Sequence, residues 1–314
     1  MDSTAPRASH STCSGIDVSF EFFPPQTEDM EQILWSSIER LEPLRPSFVS
    51  VTYGAGGKTR ERTHATVARI LNETSIKPAA HLTCVGASCE EVDAVARDYW
   101  DLGVRHIVAL RGDPQNGPGT NFEAHERGYA NSAALVAGLK KLGDFEITVS
   151  AYPEGHPESL NAGRDIDVLK AKIDAGATRA ITQFFFENEC YLRFLDKVRA
   201  KGIDIPILPG IVPVQNFRQT ANFARRAGAS IPSWLAERFE GLDDDVTTRR
   251  LIAATVTAEQ VFDLVDQGIN HFHFYTMNRA DLVYAICHLL GVRPQREVSL
   301  SPLAKAGNER MRSG

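Results

Sequence analysis

Residues 18–25 read VSFEFFPP, and residues 27–41 follow them as TEDMEQILWSSIERL. Aromatic and β-branched residues that end at two prolines are typical of a buried strand that stops abruptly. The second segment begins with a threonine cap and two acids, and its apolar residues fall on one face of a helix. The two segments together predict a strand followed by a helix.

The same strand-then-helix unit recurs along the chain. We expect eight strands, at about 18–23, 47–53, 79–85, 105–111, 146–152, 179–186, 205–212 and 271–277. The predicted helices are at about 27–41, 60–73, 88–102, 130–142, 164–175, 188–201, 215–227 and 246–267. Eight such units favour an α/β fold with a parallel sheet, closed as a (β/α)8 TIM barrel. An open doubly wound sheet is the alternative, but the glycine-rich fingerprint expected after its first strand is not present there.

The remaining segments predict how the chain is divided. Residues 1–14 are rich in Ser, Thr and Ala and predict a disordered tail. A single barrel domain is expected over 15–295, with a flexible tail at 296–314. Within the barrel, residues 113–128 predict a long loop, and residues 228–245 predict a short additional helix.

Composition excludes several classes of protein. The 314 residues are 43% hydrophobic and 24% charged, as in ordinary globular proteins. The net charge of −6 and the lack of a polybasic block argue against nucleic-acid binding. No apolar run approaches the ~18 residues of a membrane span, and the N-terminus lacks a signal-peptide core, so we expect a cytoplasmic protein. Five widely spread cysteines predict reduced thiols, and the spacing of His81, Cys84 and Cys89 does not fit a metal site.

Glu21 is the unusual residue of the first strand, because Phe20 and Phe22 flank it. A carboxylate that is buried without a partner is costly, so it either keeps its proton to a high pH or finds a cation. The first interpretation makes Glu21 a general acid. The second makes it the partner of an arginine inside the fold, and this stretch alone leaves both open.

Polar residues recur where the predicted strands end, which is where a barrel collects its reacting groups. They are Glu21, Thr52, Tyr53, His81, Thr83, Arg111, Asp113, Tyr152, His156, Gln183, Tyr275 and Arg279. Each one alone is compatible with an ordinary hydrogen-bonded core residue. Their common location favours a functional site.

Two other barrel chemistries fit the sequence poorly. The segment GAGGKT at 54–59 resembles a phosphate-binding loop, but Thr52 stands where that motif needs its first glycine. A Schiff-base mechanism needs a lysine buried at a strand end. Lys77 begins its strand, and Lys170 and Lys172 lie on a predicted helix, so that chemistry is disfavoured.

Long blocks of the sequence carry a family resemblance. They include FEFFPP at 20–25, FVSVTYGA at 48–55, RHIVALRGD at 105–113, RAITQFFF at 179–186 and NHFHFYTMNRA at 270–280. Over nearly the whole globular part, the chain resembles the bacterial methylenetetrahydrofolate reductase family. Its members are FAD-dependent oxidoreductases that reduce 5,10-methylenetetrahydrofolate to 5-methyltetrahydrofolate.

The resemblance implies an activity and its partners. A reduced nicotinamide, NADH rather than NADPH by the family pattern, would give a hydride to FAD, which would then reduce the folate in ping-pong fashion. The product supplies methyl groups for methionine synthesis in one-carbon metabolism. The family also suggests a homotetramer or homodimer. The rival interpretations are a barrel lyase or phosphate-ester enzyme without flavin, and a folate-binding protein without turnover.

The resemblance also implies roles for individual residues. Glu21 matches the family's acid and Asp113 the carboxylate near the flavin. The implied FAD-binding residues are Thr52, Tyr53, Ala55, His81, Arg111, Gly112, Asp113, Tyr129, Ala130, Tyr152, His156, Ser159, Asp165 and Lys172. The implied folate and nicotinamide contacts are Glu21, Thr52, Asp113, Gln183, Gln219, Phe223, Tyr275 and Arg279. Val168 and Ala171 depart from the pattern, since some relatives offer polar side chains to the FAD there. With a flavin site on this face, the rings beside Glu21 are expected to keep its carboxyl protonated.

Overall fold

The computed structural model describes residues 15–53, 57–113, 122–159 and 162–294. Within them lie nine short strands that form one parallel sheet. These are β1 Asp17–Phe22, β2 Val49–Val51, β3 Pro78–Thr83, β4 His106–Leu110, β5 Glu146–Ala151, β6 Arg179–Thr182, β7 Ile207–Leu208, β8 Gly210–Ile211 and β9 His271–Tyr275. The sheet order is β7-β6-β5-β4-β3-β2-β1-β9-β8, which confirms the predicted barrel.

The predicted seventh strand is present as two pieces, and it closes the barrel. β7 pairs with β6, while β8 pairs with β9. Pro209 separates the two pieces, and its carbonyl accepts a hydrogen bond from His273 N at 3.1 Å. Gly210 is needed at this join, because a Cβ there would lie 2.2 Å from the Thr182 carbonyl oxygen and 2.6 Å from the Tyr275 ring. The closure is therefore fixed by a proline and a glycine.

Helices surround the strands, in the order that the sequence predicts. They are α1 Glu28–Leu41, α2 Gly57–Glu73, α3 Cys89–Leu102, α4 Ser132–Leu142, α5 Ala162–Asp174, α6 Asn188–Ala200, α7 Phe217–Ala227, α8 Ser233–Phe239, α9 Val246–Asp266 and α10 Ala280–Leu289. The short additional helix is confirmed as α8, whereas α10 was not predicted. Side-chain caps explain where several helices begin: Thr27 accepts from Met30 N, and Ser88 forms a capping box with Glu91.

The core has two layers because strand side chains alternate. Phe20 and Phe22 point outward from β1 into the layer between strands and helices, where both are fully buried. A smaller cluster, which includes Phe48, Val108 and Ile181, fills the barrel interior. Burial of each large apolar side chain contributes about 1.5–3 kcal/mol.

Strand register decides which polar groups meet inside the barrel. Glu21 lies beside Ser50 of β2 on one side and Tyr275 of β9 on the other, and Ser19 lies beside His273. The side chains that point inward from β1, β2 and β9 therefore converge on the barrel axis.

Some predicted features lie outside the described residues. They are the two tails and the middle parts of the loops that follow β2 and β4. Among the helices of the described chain, none has the length and apolar character needed to cross a membrane.

Candidate active site

A cavity of about 430 Å³ opens at the carboxyl ends of β3, β4 and β5. Its volume falls in the range of small-molecule sites, and its position is the one at which barrels carry their active sites. Nine of the predicted FAD-binding residues line it: Tyr53, Arg111, Gly112, Asp113, Tyr152, His156, Ser159, Asp165 and Lys172. We call this the cation cavity, after Arg111 and Lys172.

Lys172 reaches the cation cavity from α5, although a helical lysine was not expected at a strand end. Its side chain is 5% exposed, and Nζ donates to the Ser150 carbonyl at 2.9 Å. Burial lowers the pKa of Lys172 to about 8, with Asp165 opposing the shift and Arg111 adding to it. The structure therefore holds a nearly dry ammonium group at the end of β5.

Arg111, the second cation, has an acidic partner. Its Nη1 lies 2.8 Å from Glu158 Oε2, and the two side chains are 26% and 32% exposed. The hydrogen bond from Arg111 lowers the pKa of Glu158. Among the described residues, Glu158 rather than the nearby Asp113 is the ion-pair partner of Arg111.

The loop that follows β5 is held by its own polar groups. Asp165 accepts a hydrogen bond from His156 N at 3.2 Å, and His156 Nδ1 accepts one from Glu158 N at 3.1 Å. The Tyr152 and His156 rings meet edge to face at 4.7 Å. Burial lowers the pKa of His156, so its imidazole faces the cation cavity in the neutral form.

Gly112 brings backbone rather than a side chain to the cation cavity. Its φ of +89° lies in the left-handed region, and a Cβ would lie 2.4 Å from Val85 Cγ1. Only glycine fits this conformation and this close approach without strain. Residues 111–113 can therefore present peptide groups to a ligand.

Glu21 lies deeper, among polar partners that the sequence did not identify. Its Oε2 lies 3.3 Å from His81 Nε2 and 3.6 Å from His273 Nε2, and it accepts a hydrogen bond from Ser50 Oγ at 3.2 Å. We call these four residues the acid corner. Both imidazole contacts are at ion-pair distance without hydrogen-bond alignment, since each Nε2 is buried without a hydrogen-bond partner among the described residues.

The acid corner corrects both interpretations of Glu21. Burial raises the pKa of Glu21, but the neighbouring imidazoles of His273 and His81 outweigh it and bring the pKa to about 2. The carboxyl is therefore ionised in the ligand-free protein, so the expectation that the aromatic rings keep it protonated is wrong. The rings of Phe20 and Phe22 face away from the carboxyl, so they do not shield it. The expectation of an arginine partner is also wrong, because histidines occupy that place.

His273 links Glu21 to the interior of the barrel. Its Nδ1 lies 2.9 Å from Ser19 Oγ, and its ring stacks on Phe48 at 5.6 Å. Burial lowers the pKa of His273, although Glu21 opposes this. The acid corner is thus a carboxylate backed by imidazole and hydroxyl groups.

Three of the predicted folate and nicotinamide residues, Gln183, Phe223 and Tyr275, lie on the other side of the barrel mouth. Phe223 of α7 is 36% exposed and stacks on Phe184 at 5.1 Å. Phe184 in turn meets Tyr275 edge to face, and the Tyr275 hydroxyl donates to the Thr182 carbonyl at 2.8 Å. Gln183 follows Thr182 directly, and its N donates to the Ala151 carbonyl at 2.8 Å. These contacts join α7 to the ends of β6 and β9.

Several predicted site residues stand apart from the cation cavity. The Tyr129 hydroxyl donates to Asp93 at 2.6 Å, and Ala130 is exposed beside it. Thr52 and His81 lie next to the cavity without lining it, and Ala55 lies outside the described residues. Gln219 and Arg279 are exposed near the start of α7 and after β9. The ligand contacts of these residues, like those of the residues that line the cavity, stay predictions.

Other residues of the site were missed by sequence reasoning. They are Ser19, Ser50, Ser150, Glu158, Arg164 and His273. Alternation along HFHFY at 271–275 was a usable signal, because it places His273 on the same strand face as Tyr275. No comparable signal was available for Glu158, which follows β5 in a loop.

Comparisons with known proteins identify the family of the chain. The family model described as methylenetetrahydrofolate reductase matches residues 8–291. The chain is 54% identical over 280 residues to the 5,10-methylenetetrahydrofolate reductase of Pectobacterium carotovorum subsp. carotovorum, covering 89% of this chain and 91% of that protein. It is 53% identical over 279 residues to the Escherichia coli (strain K12) enzyme of the same name, covering 89% and 92%.

A solved structure has a similar fold. It is an uncharacterised protein from Clostridium thermocellum, described as binding two copies of 5-methyl-5,6,7,8-tetrahydrofolic acid. The TM-score is 0.61 at 16% identity, with 88% of this chain and 94% of that chain covered. At this identity the likeness concerns the fold alone. From the family model and the two bacterial relatives, the chain belongs to the methylenetetrahydrofolate reductase family.

Proposed function

We propose that this protein is a flavin-dependent oxidoreductase that reduces 5,10-methylenetetrahydrofolate to 5-methyltetrahydrofolate with a reduced nicotinamide. The observation that carries the proposal is the adjacency of the acid corner and the cation cavity at one barrel mouth. His81 and Thr83 share the inward face of β3, so the acid corner lies one residue pair below the cavity wall. The reaction needs an acid for the departing folate nitrogen and a bound flavin, and the cations of the cavity wall would hold the flavin's diphosphate.

The cation cavity fits FAD by the chemistry of its donors. Lys172 and Arg111 would hold the diphosphate, and Gly112 lets backbone approach the ligand closely. Tyr152 and His156 supply an apolar and neutral wall beside them. When bound, FAD would carry hydride from the nicotinamide to the folate, which makes the kinetics ping-pong.

Glu21 would protonate the folate nitrogen that departs when the five-membered ring opens. The ligand-free carboxyl is ionised, so ligand binding has to raise its pKa. Ligands that cover the barrel mouth exclude water, and loss of water favours the neutral form of a carboxyl group. His273 and His81 would orient this carboxyl, because each Nε2 lies within 3.6 Å of Oε2.

The other predicted substrate contacts have complementary tasks. Asp113, which lines the cation cavity, would stabilise positive charge that develops on the opened folate. The half-exposed Phe223 offers an aromatic face on which a pterin, aminobenzoate or nicotinamide ring can stack. Thr52, Gln183, Gln219, Tyr275 and Arg279 would orient the two substrates around it.

Anaerobic spectroscopy of the purified protein tests the proposal. We expect an oxidised-flavin spectrum after reconstitution with FAD, bleaching on addition of NADH, and recovery of the absorbance on addition of methylenetetrahydrofolate. NADPH in parallel reactions measures the preference between the two donors. A preparation that takes up no FAD contradicts the flavoenzyme, and a flavin that is bleached but never reoxidised by folate contradicts the substrate.

A further inference from the structure

Glu158 is the acidic side chain in the described wall of the cation cavity that forms an ion pair with Arg111. The nitrogen–oxygen distance is 2.8 Å, and Arg111 Nε donates to the Gly112 carbonyl at 3.3 Å. The guanidinium is therefore engaged on two edges within the protein. Lys172 differs, because Nζ donates to two oxygens of Ser150, which are neutral acceptors.

The cavity wall balances charge before any ligand enters. Three cationic and three anionic side chains line its described part, namely Arg111, Arg164, Lys172, Asp113, Glu158 and Asp165. A dianionic diphosphate that approaches this wall therefore meets charges of both signs. Affinity then depends on which pairs the ligand can displace.

We propose that Glu158 is an internal counter-ion that competes with the FAD diphosphate for Arg111 and thereby sets FAD affinity. The inference rests on the proposed function, since it takes FAD as the ligand. Without FAD, Glu158 satisfies the guanidinium. When the diphosphate binds, Arg111 exchanges one anion for another, and Glu158 remains nearby as a negative charge that has lost this partner.

The position of Glu158 suits this exchange. Its backbone N is anchored to His156 Nδ1 at 3.1 Å, while its carboxylate is 32% exposed and can turn to water at small cost. Arg111 continues from β4, so the strand fixes its position and the acid is the group that moves. A partly exposed pair of this kind is weak enough for a ligand to break.

Binding of FAD and of riboflavin to the flavin-free protein separates the contributions. Glu158→Gln keeps the shape of the side chain and removes the charge. We expect FAD to bind about threefold to tenfold more tightly to this variant, with the gain shrinking as salt is added. Riboflavin lacks the phosphates, so its affinity is expected to stay unchanged. Flavin fluorescence quenching measures the binding of both ligands without turnover.

Two further variants make the test specific. Glu146→Gln removes the acid of an Arg179 ion pair at the start of β5, away from the cavity, and is expected to leave FAD affinity unchanged. In an Arg111→Gln background, Glu158→Gln is expected to tighten FAD binding much less than in the wild type, because the competition is gone.

The outcomes distinguish this inference from the proposed function. If wild-type protein binds FAD and Glu158→Gln binds it equally or more weakly, the counter-ion role is wrong while the flavoenzyme stands. The counter-ion role is also wrong if the gain persists without Arg111 or if riboflavin shows an equal gain. If the wild type binds no FAD at all, the proposed function and this inference fail together.

Discussion

The acid corner and the cation cavity use charge in opposite ways. Glu21 is 9% exposed and meets imidazole and hydroxyl groups. Arg111 and Glu158 are about a quarter to a third exposed and meet each other. In the acid corner the fold itself supplies the partners of the charge. In the cation cavity, Arg111 and Glu158 are partners that a bound ligand can replace.

This difference assigns different tasks to the two regions, proton transfer to the acid corner and ligand binding to the cation cavity. A buried charge with fixed partners has a strongly shifted pKa, as the value of about 2 for Glu21 shows. A half-exposed ion pair is screened by water and is worth little on its own. Changes in the acid corner should therefore alter proton transfer, whereas changes in the cation cavity should alter ligand binding.

The largest effect is expected for Glu21→Gln. The amide keeps the shape of the side chain but cannot deliver the proton, so folate-dependent reoxidation of the flavin should fall by about 10²–10⁴-fold. Reduction of the flavin by NADH needs no such proton and should change little. Stopped-flow absorbance measures the two half-reactions separately.

Glu146→Gln is the matched control, since it makes the same chemical change at the opposite end of the barrel. Folate-dependent reoxidation at nearly the normal rate in Glu21→Gln would show that another group is the acid. An equal loss in both half-reactions would instead assign Glu21 to flavin binding.

The next effect concerns the origin of the low pKa of Glu21. His273→Asn removes an imidazole, and burial is then opposed mainly by His81, so the pKa should rise from about 2 toward or above 4.5. A depressed carboxyl pKa gives stability above pH 4.5 that is lost as pH falls toward 2, here about 3 kcal/mol in the wild type. The variant should lose less over that window.

Infrared spectroscopy can follow the protonated carboxyl band of Glu21 directly, with Glu21→Gln subtracted to identify it. His288→Asn alters an exposed histidine on α10 and serves as the control. An unchanged midpoint in His273→Asn would mean that Ser50 and His81 hold the carboxylate by themselves.

A smaller effect is expected in the cation cavity for Lys172→Met. A hydrogen bond to a charged group contributes about 1.5–3 kcal/mol, so FAD affinity should fall roughly 10–100-fold. The pKa of Lys172 is about 8, so wild-type affinity should be highest below pH 8 and should decline as the ammonium loses its proton above it. The variant should lack this decline.

Lys170→Met is the control, because Lys170 lies two residues away on α5 and pairs with Asp174 instead of lining the cavity. FAD titrations at pH 7 and pH 9 are sufficient for all three proteins. A decline with pH that persists in Lys172→Met would assign the titration to another group.

Much of this arrangement was predictable, because strands and their ends are local properties of the sequence. Runs of β-branched and aromatic residues indicated all eight strands, and the barrel rule then placed Arg111, Asp113 and Tyr152 at one mouth. The same rule made Glu21 a candidate site residue, because it lies near the end of the first strand. The partners of Glu21 were predictable only in part. His81 was among the predicted strand-end residues, and alternation along β9 could have identified His273 as well.

The contacts that could not be predicted depend on strand register and on the length of side chains. Glu21 meets His273 because β1 pairs with β9, a contact between residues about 250 positions apart. Lys172 enters the cavity because a long side chain extends from α5 to the end of β5. Pro209 divides one predicted strand into two, because it cannot donate to the ladder. None of these follows from local periodicity.

The smallest effect tests the rim of the cation cavity. Val168 is 45% exposed, lines the cavity and precedes Lys172 by one turn of α5. Val168→Arg adds a cation on the same face, and exposed charge pairs contribute about 0.2–1 kcal/mol, so FAD should bind roughly twofold to fivefold more tightly.

Leu251→Arg is the control, because it adds the same charge to an exposed position of α9 that does not line the cavity. We expect it to leave FAD affinity nearly unchanged, and we expect salt to remove the gain from Val168→Arg. Equal gains from both variants would mean that general attraction, rather than placement at the cavity, governs the diphosphate. A gain confined to position 168 would show that an exposed charge raises FAD affinity only when it lies at the cavity. The rim would then tune ligand binding, as the rest of the cation cavity does, whereas the acid corner governs proton transfer.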